Sequence, residues 1–307
     1  MKEKIKAVMF GHAVADALGV PVEFCSRQEL KNAPITDMTG YGTYNMPPGC
    51  WSDDTSMALC ELESLKQNRL DFDDIMQNFV KWVNFQEFTP TGVLFDIGNT
   101  TKNAIINYQD AHLPAEKCGE TSAYSNGNGS LMRVHPFVLY AVAKNMPEDD
   151  FDRMIETASL LTHAHRCSVD GCLIYAHVLK CLLLNPCRQA VLIGIGKVKR
   201  KVQTKKLYDR ILSCGIFSCE EKDIKSTGYV VDSLEAALWC LLTTQTYRDC
   251  VLKAVNLGED TDTVAAISGS LAGALYGSDA IPRAWMQALK KSDYIENMCS
   301  HAAAAWC

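Results

Sequence analysis

Two short acidic clusters, about 200 residues apart, contain the side chains best suited to chemistry. Each combines two carboxylates with a hydroxyl: Ser52, Asp53 and Asp54 in WSDDTSM, and Asp260, Asp262 and Thr263 in GEDTDTVAA. Each cluster also begins an apolar helical pattern, where hydroxyl and acidic residues are preferred as N-caps. Only one residue can occupy a cap position, so capping explains paired acids poorly. Hard oxygen donors at this spacing suit Mg²⁺, Mn²⁺ or Ca²⁺. A divalent-cation site and plain helix capping therefore both remain open.

Two glycine-containing turns could bind an anionic ligand. SNGNGSLMR, Ser125 to Arg133, leaves backbone N–H groups free of a neighbouring Cβ, as phosphate-binding loops require. FDIGNTTKNA, Phe95 to Ala104, has the same character. An ordinary turn or helix C-cap is the alternative for both segments.

The histidines give a weaker signal. His163 and His165 lie in LLTHAHR, and their i, i+2 spacing places them on different faces of a helix. One hydrogen-bonding histidine beside a pocket is at least as good an interpretation as a metal ligand. His12 and Asp16 are one turn apart and could simply pair with each other.

The elements that must position these residues are helices. Polar, turn-rich segments separate them, good strand candidates are scarce, and we predict one all-α domain covering residues 1–307 without an internal linker. The basic stretch Lys197 to Lys206 is interpreted as a solvated helix face rather than a nucleic-acid patch. The predicted helices are Ile5–Leu18, Thr55–Leu65, Phe72–Phe85, Phe151–Leu161, Ser168–Leu184, Ser233–Leu242, Tyr247–Val255, Thr261–Tyr276 and Pro282–Leu289.

Composition narrows the function classes. The 307 residues carry a formal charge of −6, which argues against an extended nucleic-acid surface but allows one local phosphate site. The 14 cysteines include no C-x-x-C pair, so a structural zinc site is not expected, and Cys60, Cys172, Cys181 and Cys240 fit apolar helical patterns. No uninterrupted apolar run reaches membrane-spanning length. We therefore expect a cytoplasmic protein with reduced cysteines that does not enter a membrane.

Taken in order, the motifs resemble those of the ADP-ribosylglycohydrolase family, which includes the dinitrogenase-reductase-activating glycohydrolases. The combination of S-D-D-T, G-N-G-x-x-M-R and G-x-D-x-D-T is more specific than any one motif, and the matches span nearly the whole chain. The matching stretches are ADALGVPVEF, PPGCWSDDTSMAL, DIGNTT, GNGSLMRVHP, LTHAHR, GYVVDSLEAALW and GEDTDTVAAISGSLAGALYG.

This resemblance implies an all-α orthogonal helical bundle with two Mg²⁺ ions at the bottom of a cleft, where Mn²⁺ would be a substitute. The implied metal ligands are Ser52, Asp53, Asp54, Asp260, Asp262 and Thr263, and the implied catalytic carboxylates are Glu23, Asp54 and Asp260. Serine at position 52 often corresponds to threonine in the family, and either hydroxyl can coordinate. The implied substrate-binding residues are Asp96, Gly98, Gly127, Asn128, Gly129, Ser130, Met132, His163 and Tyr229.

The implied reaction is hydrolysis of the anomeric N- or O-glycosidic bond that joins ADP-ribose to a modified acceptor, with ADP-ribose as the product. The acceptor could be a protein or a small molecule, and arginine, serine, another side chain or a nucleic-acid base all remain open. The alternative is a member of the same fold that binds ADP-ribose without cleaving it, or that is purely structural. An oxygen donor at every ligand position, together with Glu23, favours the hydrolase.

Overall fold

The regular secondary structure of the described residues is helical, as the periodicity of the sequence predicts. The computed structural model describes residues 1–306, and within them no β-strand forms, only three isolated bridges. This confirms the prediction of an all-α fold. The helices are α1 Lys2–Gly19, α2 Arg27–Asn32, α3 Asp53–Leu65, α4 Phe72–Phe85, α5 Asn99–Gln109, α6 His135–Ala143, α7 Glu148–Leu160, α8 Arg166–Leu184, α9 Gln189–Val198, α10 Asp209–Leu212, α11 Val230–Thr243, α12 Tyr247–Val255, α13 Thr261–Tyr276, α14 Arg283–Ala288 and α15 Ser292–Trp306.

All nine predicted helices form, with ends that differ by a few residues, but several further helices were not predicted. Helix α5 is mostly polar and buries only Thr101, Ala104 and Ile105, so its apolar period is weak. Helix α6 has the opposite property: it is apolar on every side and buries seven of its nine residues. Neither pattern gives the amphipathic period on which the sequence prediction depends.

The basic stretch Lys197 to Lys206 is not the continuous helix face that we expected. Helix α9 ends at Val198, and turns follow. The buried carboxylate of Asp170 holds this turn, because its Oδ2 atom accepts hydrogen bonds from the backbone N–H groups of Gln203 at 2.9 Å and Thr204 at 2.7 Å. The side chain of Lys201 pairs with Glu148 at 2.7 Å instead of extending freely into solvent.

Helices α1 and α13 pack against each other through small residues. A Cβ atom added to Gly269 would lie 2.2 Å from the carbonyl oxygen of Gly11 and 2.5 Å from the Cβ of Ala15. The two backbones can therefore approach this closely only without a side chain at Gly269. Because Asp16 lies on α1 and Asp262 on α13, this contact fixes the spacing between two parts of the acidic site.

Buried apolar side chains from nearly all helices form one continuous core. Two stretches, Lys2–Val22 and Arg166–Leu184, have the length and mean hydropathy of membrane-crossing helices, although neither is an uninterrupted apolar run. Within each stretch, 89% of the apolar window is buried against the rest of the protein, as is usual for central core helices. Within residues 1–306 the cysteines are free thiols, and Cys60, Cys172 and Cys240 are fully buried as small apolar residues.

Candidate active site

The two acidic clusters meet because the N-terminal ends of α3 and α13 lie side by side. Ser52 is the N-cap of α3, and its hydroxyl accepts the N–H of Asp54 at 3.3 Å. The hydroxyl of Thr263, in the first turn of α13, lies 3.0 Å from Oδ2 of Asp54. Helix capping and a shared carboxylate site are therefore not alternatives, since the same residues contribute to both.

Asp16 holds the start of α3 in place. Its Oδ1 atom accepts the N–H of Ser52 at 2.9 Å, and its Oδ2 atom accepts the N–H of Thr55 at 3.1 Å and its hydroxyl at 2.6 Å. The suggested pairing of Asp16 with His12 does not form, because both carboxylate oxygens of Asp16 bond the start of α3. His12 lies beside the ring of His135, with 4.3 Å between the ring centroids. Burial raises the pKa of Asp16 to about 6, against the lowering effect of these hydrogen bonds.

Glu23 joins the second cluster from the turn that follows α1. One ligand atom each from Glu23, Asp260 and Asp262 lie within 4.8 Å of one another. Four buried carboxylate oxygens at this point have no hydrogen-bond partner: Glu23 Oε2, Asp54 Oδ1, Asp260 Oδ1 and Asp262 Oδ2. Unsatisfied buried oxygens are costly, and a cation held by these carboxylates could satisfy them.

The buried carboxylates repel one another, and no cationic side chain compensates their charge in the part of the chain that the structure describes. Burial, with repulsion from Asp96 next, raises the pKa of Glu23 to about 8. Burial also raises the pKa of Asp53, Asp54 and Asp262 well above the ordinary value of 3.8, and neighbouring carboxylates raise it further. Within residues 1–306, no lysine or arginine pairs with any of these carboxylates. The donor set is therefore hard, anionic and without a protein counter-charge, which fits divalent cations such as Mg²⁺.

A cleft of about 660 Å³ opens above these carboxylates. The G-N-G turn forms one wall, and Asn128 ties it to the acidic floor, because its side-chain NH₂ donates to Ser233 Oγ at 2.8 Å and to Asp260 Oδ2 at 2.7 Å. A Cβ on Gly129 would lie 2.8 Å from Cε1 of His163, so glycine lets the turn pack against this ring. Of the residues predicted to contribute to the site, those that line the cleft are Glu23, Asp53, Asp96, Gly98, Gly127, Asn128, Gly129, Met132, His163, Asp260 and Thr263.

The other predicted residues lie behind the cleft surface. Ser52, Asp54 and Asp262 are buried beneath its floor, where their oxygens belong to the acidic group. Ser130 does not present its side chain to a ligand, because its hydroxyl faces inward to Ser159 at 3.0 Å and to Cys172 at 3.3 Å. Tyr229 is half-buried, and its hydroxyl lies 3.5 Å from the Sγ of Cys167. Both of these residues support the G-N-G turn rather than the cleft surface.

The predictions did not include Phe24 and Glu259, which line the cleft, or Tyr44, which influences the pKa of Glu23. Tyr44 lies in a loop without periodicity, with 5.1 Å between its ring centroid and that of Phe95, and it acts to lower the pKa of both Glu23 and Asp96 against the raising effect of burial. Phe24 and Glu259 line the cleft with positive φ angles of 67° and 63°, which are uncommon for residues other than glycine. Their backbones hold each other there, because the N–H of Phe24 donates to the carbonyl of Glu259 at 2.7 Å.

Comparison with known proteins shows the family of this chain. The family described as ADP-ribosylglycohydrolase matches residues 1–307. The chain is 34% identical over 298 residues to the ADP-ribosylarginine hydrolase Tri1 of Serratia proteamaculans (strain 568), covering 96% of this chain and 78% of the relative. It is 29% identical over 290 residues to the ADP-ribosyl-[dinitrogen reductase] glycohydrolase of Rhodospirillum rubrum, covering 94% and 90%.

Among solved structures, a chain of an ADP-ribosylglycohydrolase-related protein complex superimposes with a TM-score of 0.84 at 30% identity, over 100% of this chain and 99% of that one. The helical architecture predicted from the motifs is therefore confirmed. With a family match over its whole length, this chain belongs to the ADP-ribosylglycohydrolase family of hydrolases.

Proposed function

We propose that this protein is a Mg²⁺-dependent hydrolase that cleaves the anomeric bond between ADP-ribose and a modified acceptor. The family membership supports the removal of ADP-ribose. The observation that carries the metal dependence is that Glu23, Asp260 and Asp262 place one ligand atom each within 4.8 Å of one another at the cleft, in an acidic group with four unpartnered carboxylate oxygens. Without a cation these oxygens would be left both desolvated and mutually repelling.

The residues that would hold two Mg²⁺ ions are the oxygen donors at the starts of α3 and α13: Ser52, Asp53, Asp54, Asp260, Asp262 and Thr263. Mn²⁺, which accepts the same hard oxygen donors, would be a substitute. When bound, the ions supply positive charge that polarises the ribose hydroxyls and acidifies a neighbouring water.

The protein's own groups then orient the substrate and move the proton. The side chain of Glu23 is buried but reaches the cleft surface and keeps one oxygen free of protein partners, so it can accept a proton from an attacking water or pass one to the leaving group. Tyr44 acts to lower the pKa of both this carboxylate and that of Asp96. The turn around Gly127 and Gly129 offers a close backbone surface for the diphosphate and ribose.

For the acceptor we propose an arginine side chain. Two relatives, at 34% and 31% identity, are named ADP-ribosylarginine hydrolases. At the cleft of this chain, Glu259 is exposed, and the ring of Phe24 is 70% exposed. A carboxylate and an aromatic face are the two groups that recognise a guanidinium, through charged hydrogen bonds and cation–π contact.

Metal dependence is tested by measuring ADP-ribose release from an ADP-ribosylated arginine peptide. We expect release by the wild type to be lost in EDTA and restored by Mg²⁺. Asp260→Asn should lose metal binding and at least about 100-fold in kcat/KM, since it removes a charge from the site. Asp279→Asn is the matched control, because Asp279 is exposed and outside the site. Full turnover in metal-free buffer would refute the metal dependence. Tight ADP-ribose binding with no release from any acceptor would instead identify a non-catalytic binding protein.

Acceptor choice is tested by comparing arginine-linked, serine-linked and O-acetyl ADP-ribose substrates. Glu259→Gln should raise KM for the arginine-linked peptide by roughly tenfold and leave the serine-linked substrate unaffected. Glu116→Gln, a change of the same type at an exposed position outside the cleft, should alter neither value. An equal rise in KM for all substrates would show that Glu259 does not recognise the acceptor.

A further inference from the structure

A continuous row of buried polar groups leads from helix α3 to the cleft. It begins with the ion pair between Glu61 and Arg133, both of whose side chains are fully buried. The guanidinium of Arg133 lies 5.1 Å from the ring centroid of Phe79, and its Nη2 atom donates to the carbonyl of Ala158 at 2.9 Å and to Oγ1 of Thr162 at 2.9 Å. Oγ1 of Thr162 in turn lies 2.8 Å from Nδ1 of His163.

Counting donors and acceptors fixes the direction of the last hydrogen bond. Arginine only donates, so Thr162 Oγ1 accepts from Arg133. The hydroxyl hydrogen of Thr162 then needs an acceptor, and within residues 1–306 the one in reach is Nδ1 of His163. If Nδ1 carried the proton instead, the hydroxyl hydrogen would be buried without a partner. Nδ1 of His163 is therefore the acceptor and carries no hydrogen.

The other ring nitrogen faces the cleft. His163 is 2% exposed and lines the cleft, and a Cβ added to Gly127 would lie 3.6 Å from its Nε2 atom. Burial, together with the charge of Arg133, lowers the pKa of His163 to about 3, so the ring is neutral at physiological pH. A neutral imidazole with an unprotonated Nδ1 carries its proton on Nε2.

We propose that Thr162, oriented by the Glu61–Arg133 pair, is a positioning residue that fixes His163 in its Nε2–H form, so that His163 donates a hydrogen bond to an oxygen of the ADP-ribosyl ligand. The chemistry required of the ligand atom is that of an acceptor, either a diphosphate oxygen or a ribose oxygen. This assignment of the ligand rests on the proposed function.

The arrangement also explains why a buried ion pair lies behind the G-N-G turn. Arg133 ends the same motif whose glycines form the cleft wall, so one segment supplies both the backbone surface for the ligand and the cation that orients Thr162. Ser159 supports the same unit, since its hydroxyl donates to the carbonyl of His163 at 2.9 Å and lies 3.0 Å from the hydroxyl of Ser130. The ring of His163 is thus held from its backbone and from Nδ1, while Nε2 stays free for a ligand.

The test reads the tautomer and the binding of ADP-ribose separately. In ¹⁵N-labelled wild type, we expect the His163 signals, assigned by comparison with His163→Gln, to show a protonated Nε2 and an unprotonated Nδ1. Thr162→Val removes the hydroxyl at nearly constant shape and should leave a mixture of tautomers and about tenfold weaker ADP-ribose binding by calorimetry. Thr162→Ser restores the hydroxyl and should restore both properties, which a merely structural role in packing would not require.

The outcomes are distinct. A protonated Nδ1 in the wild type, or an unchanged tautomer and affinity in Thr162→Val, would overturn the proposal. If Thr162→Val does not fold, Thr162→Ser and the wild-type spectrum still decide the tautomer. Failure of the wild type to bind ADP-ribose would overturn the proposed function and the assigned ligand. The spectrum would still show whether Thr162 determines the tautomer of His163.

Discussion

The close contact of α1 with α13 predicts that replacing glycine by alanine destabilises the protein at Gly269 and stabilises it at Gly196. In Gly269→Ala the new Cβ would lie 2.2 Å from the carbonyl oxygen of Gly11 and 2.5 Å from the Cβ of Ala15. These neighbours are backbone and a methyl group that cannot rotate away, so the helices must separate. In Gly196→Ala the new Cβ meets nothing within 4 Å, on the exposed side of α9.

The expected magnitudes follow from these distances. Alanine replacing glycine within a helix stabilises by about 0.5–1 kcal/mol through backbone entropy alone. Gly196→Ala should therefore raise the free energy of unfolding by that amount. Gly269→Ala gains the same term but must overcome overpacking of about 3 kcal/mol, at the upper end of the usual range because the clash is with backbone. The net loss should be about 2 kcal/mol or more.

Urea unfolding followed by circular dichroism measures both changes, and thermal melting provides a second measurement. For a chain of 307 residues, 1 kcal/mol corresponds to a shift of about 1.5 °C in the midpoint. We expect a fall of about 3 °C or more for Gly269→Ala and a rise of about 1 °C for Gly196→Ala. A Gly269→Ala protein as stable as wild type would refute the packing argument. If both substitutions destabilise the protein, the loss at Gly269 cannot be attributed to the close contact between α1 and α13.

Two further predictions concern buried and half-buried acids. Asp16→Asn should destabilise the protein by about 2 kcal/mol in urea unfolding. The single amide oxygen of asparagine cannot replace two carboxylate oxygens, and the asparagine NH₂ group would face a backbone N–H at the start of α3. A change below about 0.5 kcal/mol would contradict this reasoning. Burial acts to raise the pKa of Asp152, but hydrogen bonds from His177 and Lys201 outweigh burial and lower this pKa below the ordinary value of 3.8. The stability that the Asp152 carboxylate contributes is therefore present above pH 3.8 and is lost as the pH falls through the lowered pKa. The difference in unfolding free energy between wild type and Asp152→Asn should therefore shrink from pH 5 towards pH 3, and a constant difference would count against the pairing.

Motifs located most of the cleft because its residues come in short, chemically distinct runs. The acids around Asp53 and Asp260 each lie at the beginning of a helix, where sequence and structure are directly related. For Asp16 the sequence suggests only His12, the neighbour one turn away, and does not show the residues at the start of α3 that fold against it.

Side-chain direction within a motif could not be predicted. Ser130 lies in the same turn as Gly127 and Gly129, yet its hydroxyl faces the core. Tyr44 belongs to a loop whose position depends on contacts made far along the chain, since its ring centroid lies 5.1 Å from that of Phe95. A one-dimensional pattern holds no information about either orientation, which tertiary packing decides.

The pairing of α1 with α13 has a consequence for folding kinetics. Glu23 and Asp260 are about 240 residues apart, and closing a loop of that length costs about 5 kcal/mol of chain entropy. We therefore expect the carboxylates to assemble late in folding, after most of the chain has collapsed and after the rate-limiting barrier. A cation bound there would stabilise the native state with little effect on the transition state. Its signature would be slower unfolding at an unchanged folding rate.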